Sequence, residues 1–208
     1  MEPQEGAPAK VRRASLPDLN PQRAPLLTPV ASSRTIHDRL AVEIQRGCTR
    51  GCRFCQAGMI NRPVRQRSAE TILEAVDAGL TRCGYEQVSF LSLSAGDHPR
   101  ILQLLSGFYA RHAEMRVAAS LPSLRAETLT PELAELVRTV RKSGFTIAPE
   151  AGSERMRRII NKDLSEEDVL AAARGAFAAG WQLLKLYFMV GLPGEREEDR
   201  QASVDLVS

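Results

Sequence analysis

From Leu40 onward the chain reads as strand, helix, strand, helix, and that alternation narrows the fold more than any other feature. Leu40, Ala41, Val42 and Ile44 form a short apolar run, and residues 87–93, 115–121, 145–149 and 183–190 repeat this β-rich character. Helical spacing fills the intervals. Ser68 is an N-cap with Glu70 in the first turn, followed by Ile72, Leu73, Val76 and Leu80. Pro99 suits a first helical position before Ile101, Leu102, Leu105 and Phe108. Thr130-Pro131-Glu132 opens a third helix with Leu133, Leu136, Val137 and Val140 as its stripe and Gly144 as its stop. Ser165 to Asp168 has the form of a capping box for a helix reaching Gly180, and another helix begins near the C-terminus. Such alternation predicts parallel βαβ units with right-handed crossovers. A full eight-fold barrel takes about 250 residues, so five strands in 208 residues predict an incomplete barrel with one exposed edge.

The second constraint is chemical. Cys48, Cys52 and Cys55 are spaced C-x-x-x-C-x-x-C directly after the first strand. Clustered thiolates are soft ligands that hold zinc or iron–sulfur centres. The three positions would also share one helix face as buried core cysteines, but Gly47 and Gly51 argue for a loop. The fourth cysteine, Cys83, lies at a helix-to-strand turn at the opposite end of the strands. The local motif therefore offers three ligands and leaves one position open to an external molecule. Two other arrangements use the same residues: a zinc module completed by His37 or His98, and a four-cysteine electron-transfer centre completed by Cys83.

With Phe54 before the last cysteine, the motif resembles that of the radical S-adenosylmethionine (SAM) superfamily. The stretch from His37 through C-T-R-G-C-R-F-C to Ser68 is similar to a bacterial branch that usually carries a cobalamin-binding-like domain ahead of the barrel. The resemblance runs from about His37 to the C-terminus. It implies a partial (β/α)6 TIM-like barrel whose last strand is missing here. Cys48, Cys52 and Cys55 would hold a [4Fe–4S] cluster whose open iron is chelated by SAM. Reductive cleavage would then give a 5′-deoxyadenosyl radical. An electron donor such as flavodoxin or ferredoxin is implied, and cobalamin only through a missing or separate domain. The substrate is left open, with RNA and protein as the classes, and no catalytic residue is assigned.

The resemblance also assigns cofactor contacts after successive strands, where parallel α/β folds gather ligands. Gly96 and Asp97 in Ser94-Ala95-Gly96-Asp97 would take the SAM amino group, though relatives more often have glycine at 95 and glutamate at 97. Glu150 would accept from the ribose hydroxyls, with Ser153 helping and Arg155 or Arg158 pairing with the SAM carboxylate. Phe54 and the loop Gly191 to Glu195 would lie near adenine. Plain turns, a helix cap at Ser153 and solvated arginines are the alternatives. Arg62, Arg65 and Arg67 read either as a receiver for a phosphate-bearing substrate or as a solvated loop. His98 reads as a helix-start residue near the acidic loop. Lys185 and Tyr187 point into the barrel or away from it according to a parity that periodicity leaves open.

Composition removes other classes. Net charge is +3, too small to suggest nucleic-acid or membrane binding by itself. Basic residues are mostly arginine, with lysine at positions 10, 142, 162 and 185 only. No stretch resembles a signal peptide or a membrane span, and the cysteines do not form a disulfide pattern, which predicts a cytoplasmic protein without a membrane partner. Residues 1–36, rich in proline, are expected to be a flexible leader, with residues 37–208 as the core domain.

Overall fold

The computed structural model describes residues 13–21, 29–33, 35–112, 114–122, 124–138 and 145–208. In chain order the elements are β1 (Leu40–Glu43), β2 (Gln45–Arg46), α1 (Gln56–Ile60), β3 (Arg65–Gln66), α2 (Ala69–Cys83), β4 (Gln87–Leu91), α3 (Ile101–His112), β5 (Ala118–Ser120), α4 (Pro131–Arg138), β6 (Phe145–Glu150), α5 (Glu154–Ile159), α6 (Glu166–Ala178), β7 (Leu184–Phe188) and α7 (Glu197–Asp205). Single 3-10 turns lie at Ala95–Asp97 and Ala126–Thr128.

Five of the strands carry the parallel architecture that the alternation predicts. β1, β4 and β5 form one parallel group in that order, and β6 pairs with β7 in another. The short β2 and β3 pair antiparallel, Gln45 opposite Gln66, and close the base of the segment that bears the cysteines. This hairpin and α1 have no counterpart in the hydrophobic pattern, being too short for periodicity to register.

Local chemistry accounts for the helix boundaries. The Ser68 side chain accepts from Thr71 N–H at the start of α2, and Gly84 ends that helix in the left-handed region. Thr130 Oγ1 accepts from Leu133 N–H at the start of α4. Ser165 and Asp168 form the reciprocal capping box of α6. Pro99 falls two residues before α3, because the carbonyl of His98 takes the Ile101 N–H and the helix begins there. Val140 and Gly144 lie outside the described residues.

One core joins the first strand group to its helices. Val42, Val88 and Phe90 meet Ile72, Val76, Leu104 and Phe108, all at 2% exposure or less. The Phe90 and Phe108 rings pack edge to face at 5.6 Å. A smaller cluster of Ala151, Met156, Ile160 and Leu192 lies under the loops that follow β6 and β7.

Part of the stretch expected as a leader is seated on this body. Leu19 is fully buried, and Asn20 Oδ1 accepts from the Ser68 N–H at 2.7 Å. Arg65 donates to Ser15 Oγ at 3.0 Å and to the Leu16 carbonyl at 3.1 Å, and Arg67 donates to the Leu19 carbonyl. Arg65 and Arg67 are therefore neither a phosphate receiver nor a solvated loop. Each is at most 7% exposed and is held by carbonyls of a segment about fifty residues upstream. Leu19→Ala should lower unfolding stability by about 2–4 kcal/mol in a urea titration. Leu16→Ala, at a 38% exposed position, should change it by less than about 0.5 kcal/mol.

Candidate functional site

The cysteine segment runs from Gly47 to Cys55 with no regular structure, so contacts from elsewhere must hold it. Gly47 sits at φ +88°, and a Cβ there would lie 2.6 Å from the Asn61 carbonyl oxygen. Only glycine lets the chain pass beneath residues 61–64 at this point. Arg50 then reaches the Ala95–Asp97 turn after β4, donating from Nε and Nη2 to the Asp97 carboxylate at 3.0 and 2.6 Å. On the other side the Arg53 N–H donates to the Ile160 carbonyl at 2.9 Å, and Asn161 Nδ2 donates to the Gly51 carbonyl at 2.9 Å. Asn161 adopts φ +54° to do so, a conformation its short amide tolerates.

The sulfurs are oriented by backbone donors. Cys48 Sγ accepts from the Arg50 N–H at 3.4 Å and Cys55 Sγ from the Gly58 N–H at 3.3 Å, which also caps α1. Cys48 is buried, Cys52 and Cys55 are half-buried, and all four cysteines are thiols. The three line one cavity of about 250 Å³. Every one of the five parallel strands contributes to its wall, mostly at or beyond its C-terminal end: the cysteines after β1, Leu93 and Ser94 after β4, Leu124 and Arg125 after β5, Ala148 and Glu150 toward the end of β6 with Thr146 near its start, and Tyr187 on β7. Phe54 lies at the rim, 39% exposed. Cys83 closes α2 at the other end of the strands.

Glu150 is the most unusual residue of the wall. It holds φ +71°, a region that costs a side-chain-bearing residue about 1–2 kcal/mol, where the β6–β7 register breaks between Ile147 and Glu150. Its carbonyl takes the Met189 N–H at 2.8 Å, which holds the turn. Burial pushes the Glu150 carboxyl above the usual range, against the pull of Lys162 and Arg125. Lys162 Nζ stands 4.0 Å from Glu150 Oε1. Burial, helped by Arg125, holds that ammonium below its ordinary value even though Glu150 and Cys52 favour the charge. Behind this pair, the fully buried Arg157 donates to the carbonyls of Ala151 (2.9 Å), Gly152 (2.6 Å) and Leu164 (2.8 Å). One guanidinium thus ties the turn after Glu150 to the turn after Lys162.

Several residues assigned by resemblance have other partners here. The Asp97 carboxylate is taken up bidentately by Arg50 behind the cavity wall. Burial pulls that carboxyl up, but Arg50, Ser94 and Arg125 together outweigh it and hold it below the usual range. Gly96 is glycine because a Cβ would lie 2.2 Å from Thr128 Oγ1, a packing need of the Ala126–Thr128 turn. Ser153 caps α5 through the Met156 N–H and donates to Asp199 of α7. Arg155 pairs with the same Asp199 and with the Gly194 carbonyl at 2.8 Å, and Arg158 pairs with Glu154 at 2.9 Å. In the loop Gly191 to Glu195, Leu192 packs into the smaller core cluster while Glu195 accepts from the Gly191 N–H.

The histidines do not complete a metal site. His98 is buried, with Nε2 against the Arg67 carbonyl at 3.0 Å and Nδ1 accepting from Arg100 N–H at 3.3 Å. His37 meets Arg39 at the surface. Among the described residues, no three His, Cys, Asp or Glu side chains converge on a point where one metal ion could sit. A cubane cluster spreads its thiolates over different irons and needs no such convergence. The donor set therefore fits a cluster: three sulfurs on one cavity, with Arg50, Arg125 and Lys162 beside them to balance anionic ligands.

Hydrophobic patterning missed Arg50, Arg125 and Lys162. The scarcity of lysine was the available signal, because one of the four lysines, Lys162, lines the cavity and another, Lys185, stands on β7 beside the lining Tyr187. Register settles the parity of β7: Lys185 pairs with Thr146, and its ammonium lies 5.1 Å from the Tyr187 ring centroid, so both belong to the cavity face. Among the described residues, no helix is long and apolar enough to cross a membrane.

Comparison with known proteins agrees with this architecture. An uncharacterized protein of Methanocaldococcus jannaschii is 36% identical over 95% of this chain and 43% of its own length. The ribosomal protein uS12 methylthiotransferase RimO of Desulfotalea psychrophila is 28% identical over 77% of this chain and 38% of its own. The chain thus spans less than half the length of these relatives. Among solved structures, the radical SAM methyltransferase TsrM from Kitasatospora setae, described with cobalamin and a [4Fe–4S] cluster bound, superposes with a TM-score of 0.69. It covers 81% of this chain and 34% of its own at 16% identity, which shows that the fold is that of a partial radical SAM barrel. The family model of the Radical SAM superfamily matches residues 42–207, and the chain belongs to that superfamily.

Proposed function

We propose that residues 37–208 are the core of a radical SAM enzyme in which Cys48, Cys52 and Cys55 hold a [4Fe–4S] cluster and SAM binds beside it. The observation that carries this reading is the single cavity into which the three thiols and the C-terminal ends of all five parallel strands open. When bound, the reduced cluster supplies the electron that cleaves a carbon–sulfur bond of SAM and releases a 5′-deoxyadenosyl radical.

The chain's own residues bind and orient. Glu150 accepts from the ribose hydroxyls, its strained backbone fixing the carboxyl at the wall. Lys162 and Arg125 face the anionic groups, the carboxylate of SAM among them. Phe54 covers the rim near adenine, and Leu93, Leu124 and Ala148 keep the interior apolar. Lys185 and Tyr187 present the wall that a substrate would meet. Gly96, Asp97 and Ser153 support this pocket from outside it through the contacts described above.

Electrons would come from a flavodoxin- or ferredoxin-type donor, and the substrate from RNA or protein, the classes on which the named relatives act: a ribosomal protein and, for a synthase from Desulforamulus reducens, a tRNA nucleoside. Cobalamin, present in the TsrM structure, would be supplied by a domain other than this barrel. A thiolate-held cluster and four thiols suit the reducing cytoplasm.

Anaerobic reconstitution should give about four iron and four acid-labile sulfide per chain and release 5′-deoxyadenosine from SAM with dithionite, read by chromatography. Cys52→Ala should abolish both. Glu150→Gln should retain iron and lose SAM affinity about tenfold, as expected for one lost charged hydrogen bond. Zinc without sulfide in the wild type would overturn the reading. Asp97→Asn tests the Arg50 clamp. The folded pKa of Asp97 lies below its unfolded one, so the pair adds stability above about pH 4 that is lost as pH falls through the folded value. The variant should be less stable at neutral pH and show a flatter fall in Tm on acidification.

A further inference from the structure

Three serines of the chain have an arginine three residues before them: Ser15, Ser68 and Ser203. Two are committed to helices. Ser68 caps α2 by accepting from the Thr71 N–H, and Ser203 lies within α7, where its Oγ accepts from the Gly152 N–H at 3.1 Å. Ser15 is exposed, on chain without regular structure, in the order Arg12-Arg13-Ala14-Ser15-Leu16. Two arginines ending two residues before a serine, with an apolar residue after it, form the charge pattern by which a basophilic kinase selects its substrate. Carboxylates of the kinase pair with the guanidinium groups.

The surroundings of this hydroxyl suit the product. Ser15 lines a recess of about 330 Å³ with Arg13, Arg46, Asn61 and Arg65, and no acidic residue is part of that wall. Arg65 is occupied by the Asn61, Pro63 and Leu16 carbonyls and by Ser15 Oγ, so it fixes the hydroxyl in place. The other two guanidinium groups keep free donors. Arg13 donates from Nη2 to the Arg62 carbonyl at 2.5 Å and, among the described residues, has no carboxylate partner. Arg46 turns Nε and Nη2 to Glu43 at 2.8 and 2.7 Å, which leaves Nη1 unpaired among the described residues. Asp18, the acidic residue nearest to Ser15 in sequence, accepts from the Asn20 N–H at 2.9 Å and does not line the recess. Three guanidinium groups thus meet one carboxylate around Ser15, an excess that a phosphoryl group would balance.

We propose that Ser15 is a phosphorylation site and that Arg13 and Arg46 hold its phosphate. In the transfer, Ser15 Oγ forms a bond to the γ-phosphorus of ATP, the bond to ADP breaks, and the hydroxyl proton passes to the kinase's catalytic carboxylate. Arg46 belongs to β2, so the phosphate ties residues 13–16 to the hairpin that closes the base of the cysteine segment. The proposal stands apart from the cluster reading, because none of these groups lines the thiol cavity.

In the first arm of the test, the full chain is incubated with ATP and cAMP-dependent protein kinase, a basophilic enzyme, and modified residues are read by mass spectrometry. The phosphoryl group should appear at Ser15, and S15A should take up none. In the second arm, phosphoserine is installed at position 15 during translation, so that arginine variants are compared without the kinase. The phosphorylated chain should melt about 2–6 °C above the unmodified one. Its phosphorus NMR signal should titrate with a second pKa below the value of about 6 found for a solvated phosphoserine, because guanidinium groups favour the dianion. In R13Q/R46Q the phosphoserine should titrate as in water, and its melting difference from the same variant unmodified should vanish. Phosphorylation of the folded wild type only at Ser68, Ser203 or another residue, or at none, would overturn the site. A phosphoserine that titrates as in water and leaves Tm unchanged, or one whose shift survives in R13Q/R46Q, would overturn its receivers.

Discussion

The cysteine loop, on which the proposed chemistry rests, has no hydrogen-bond ladder of its own, and the rest of the structure follows from how it is held. A segment of this length would sample many conformations at an entropic cost of about 1–2 kcal/mol per residue fixed. Three clamps offset that cost: the β2–β3 hairpin at its base, the Arg50–Asp97 pair at the turn after β4, and the Ile160–Asn161 turn on the far side. Two of them come from distant parts of the chain, the turn after β4 and the turn after α5, so the loop is held in place only when those segments pack beside it. This couples folding of the barrel to formation of the site.

The same logic places charge. Arg157, Lys162 and Glu150 are all poorly exposed, which is costly without partners. Arg157 is anchored mostly by carbonyls, and this immobilises the two turns that carry Glu150 and Lys162. Those two stand close enough to interact but at 4.0 Å are not locked in a tight ion pair, which leaves each with capacity for a ligand. By contrast Asp97 is paired with Arg50, and Asp199 is held by Ser153, Arg155 and the Arg196 N–H.

What the sequence made legible is what short-range chemistry specifies. The five parallel strands, the Ser68 and Ser165 caps and the cysteine triplet are encoded within a few neighbouring residues. The uses of arginine were not. Whether Arg65 meets a phosphate, water or the Leu16 carbonyl depends on a segment about fifty residues away, and no local pattern carries that information. Gly96 and Asp97 show the same limit: their sequence context fits a cofactor turn, while Thr128 and Arg50, distant in the chain, decide what they do. Residues 13–21 read as leader because proline and polarity dominate there, yet a single buried leucine and a few carbonyls suffice to seat them.

The central claim is that SAM meets a cluster held by Cys48, Cys52 and Cys55, and electron paramagnetic resonance of the anaerobically reconstituted, reduced protein addresses it most directly. The account predicts a [4Fe–4S]⁺ signal whose line shape changes when SAM is added, because SAM occupies the iron that no cysteine ligates. A cluster signal indifferent to SAM, or the absence of any cluster signal, would contradict it.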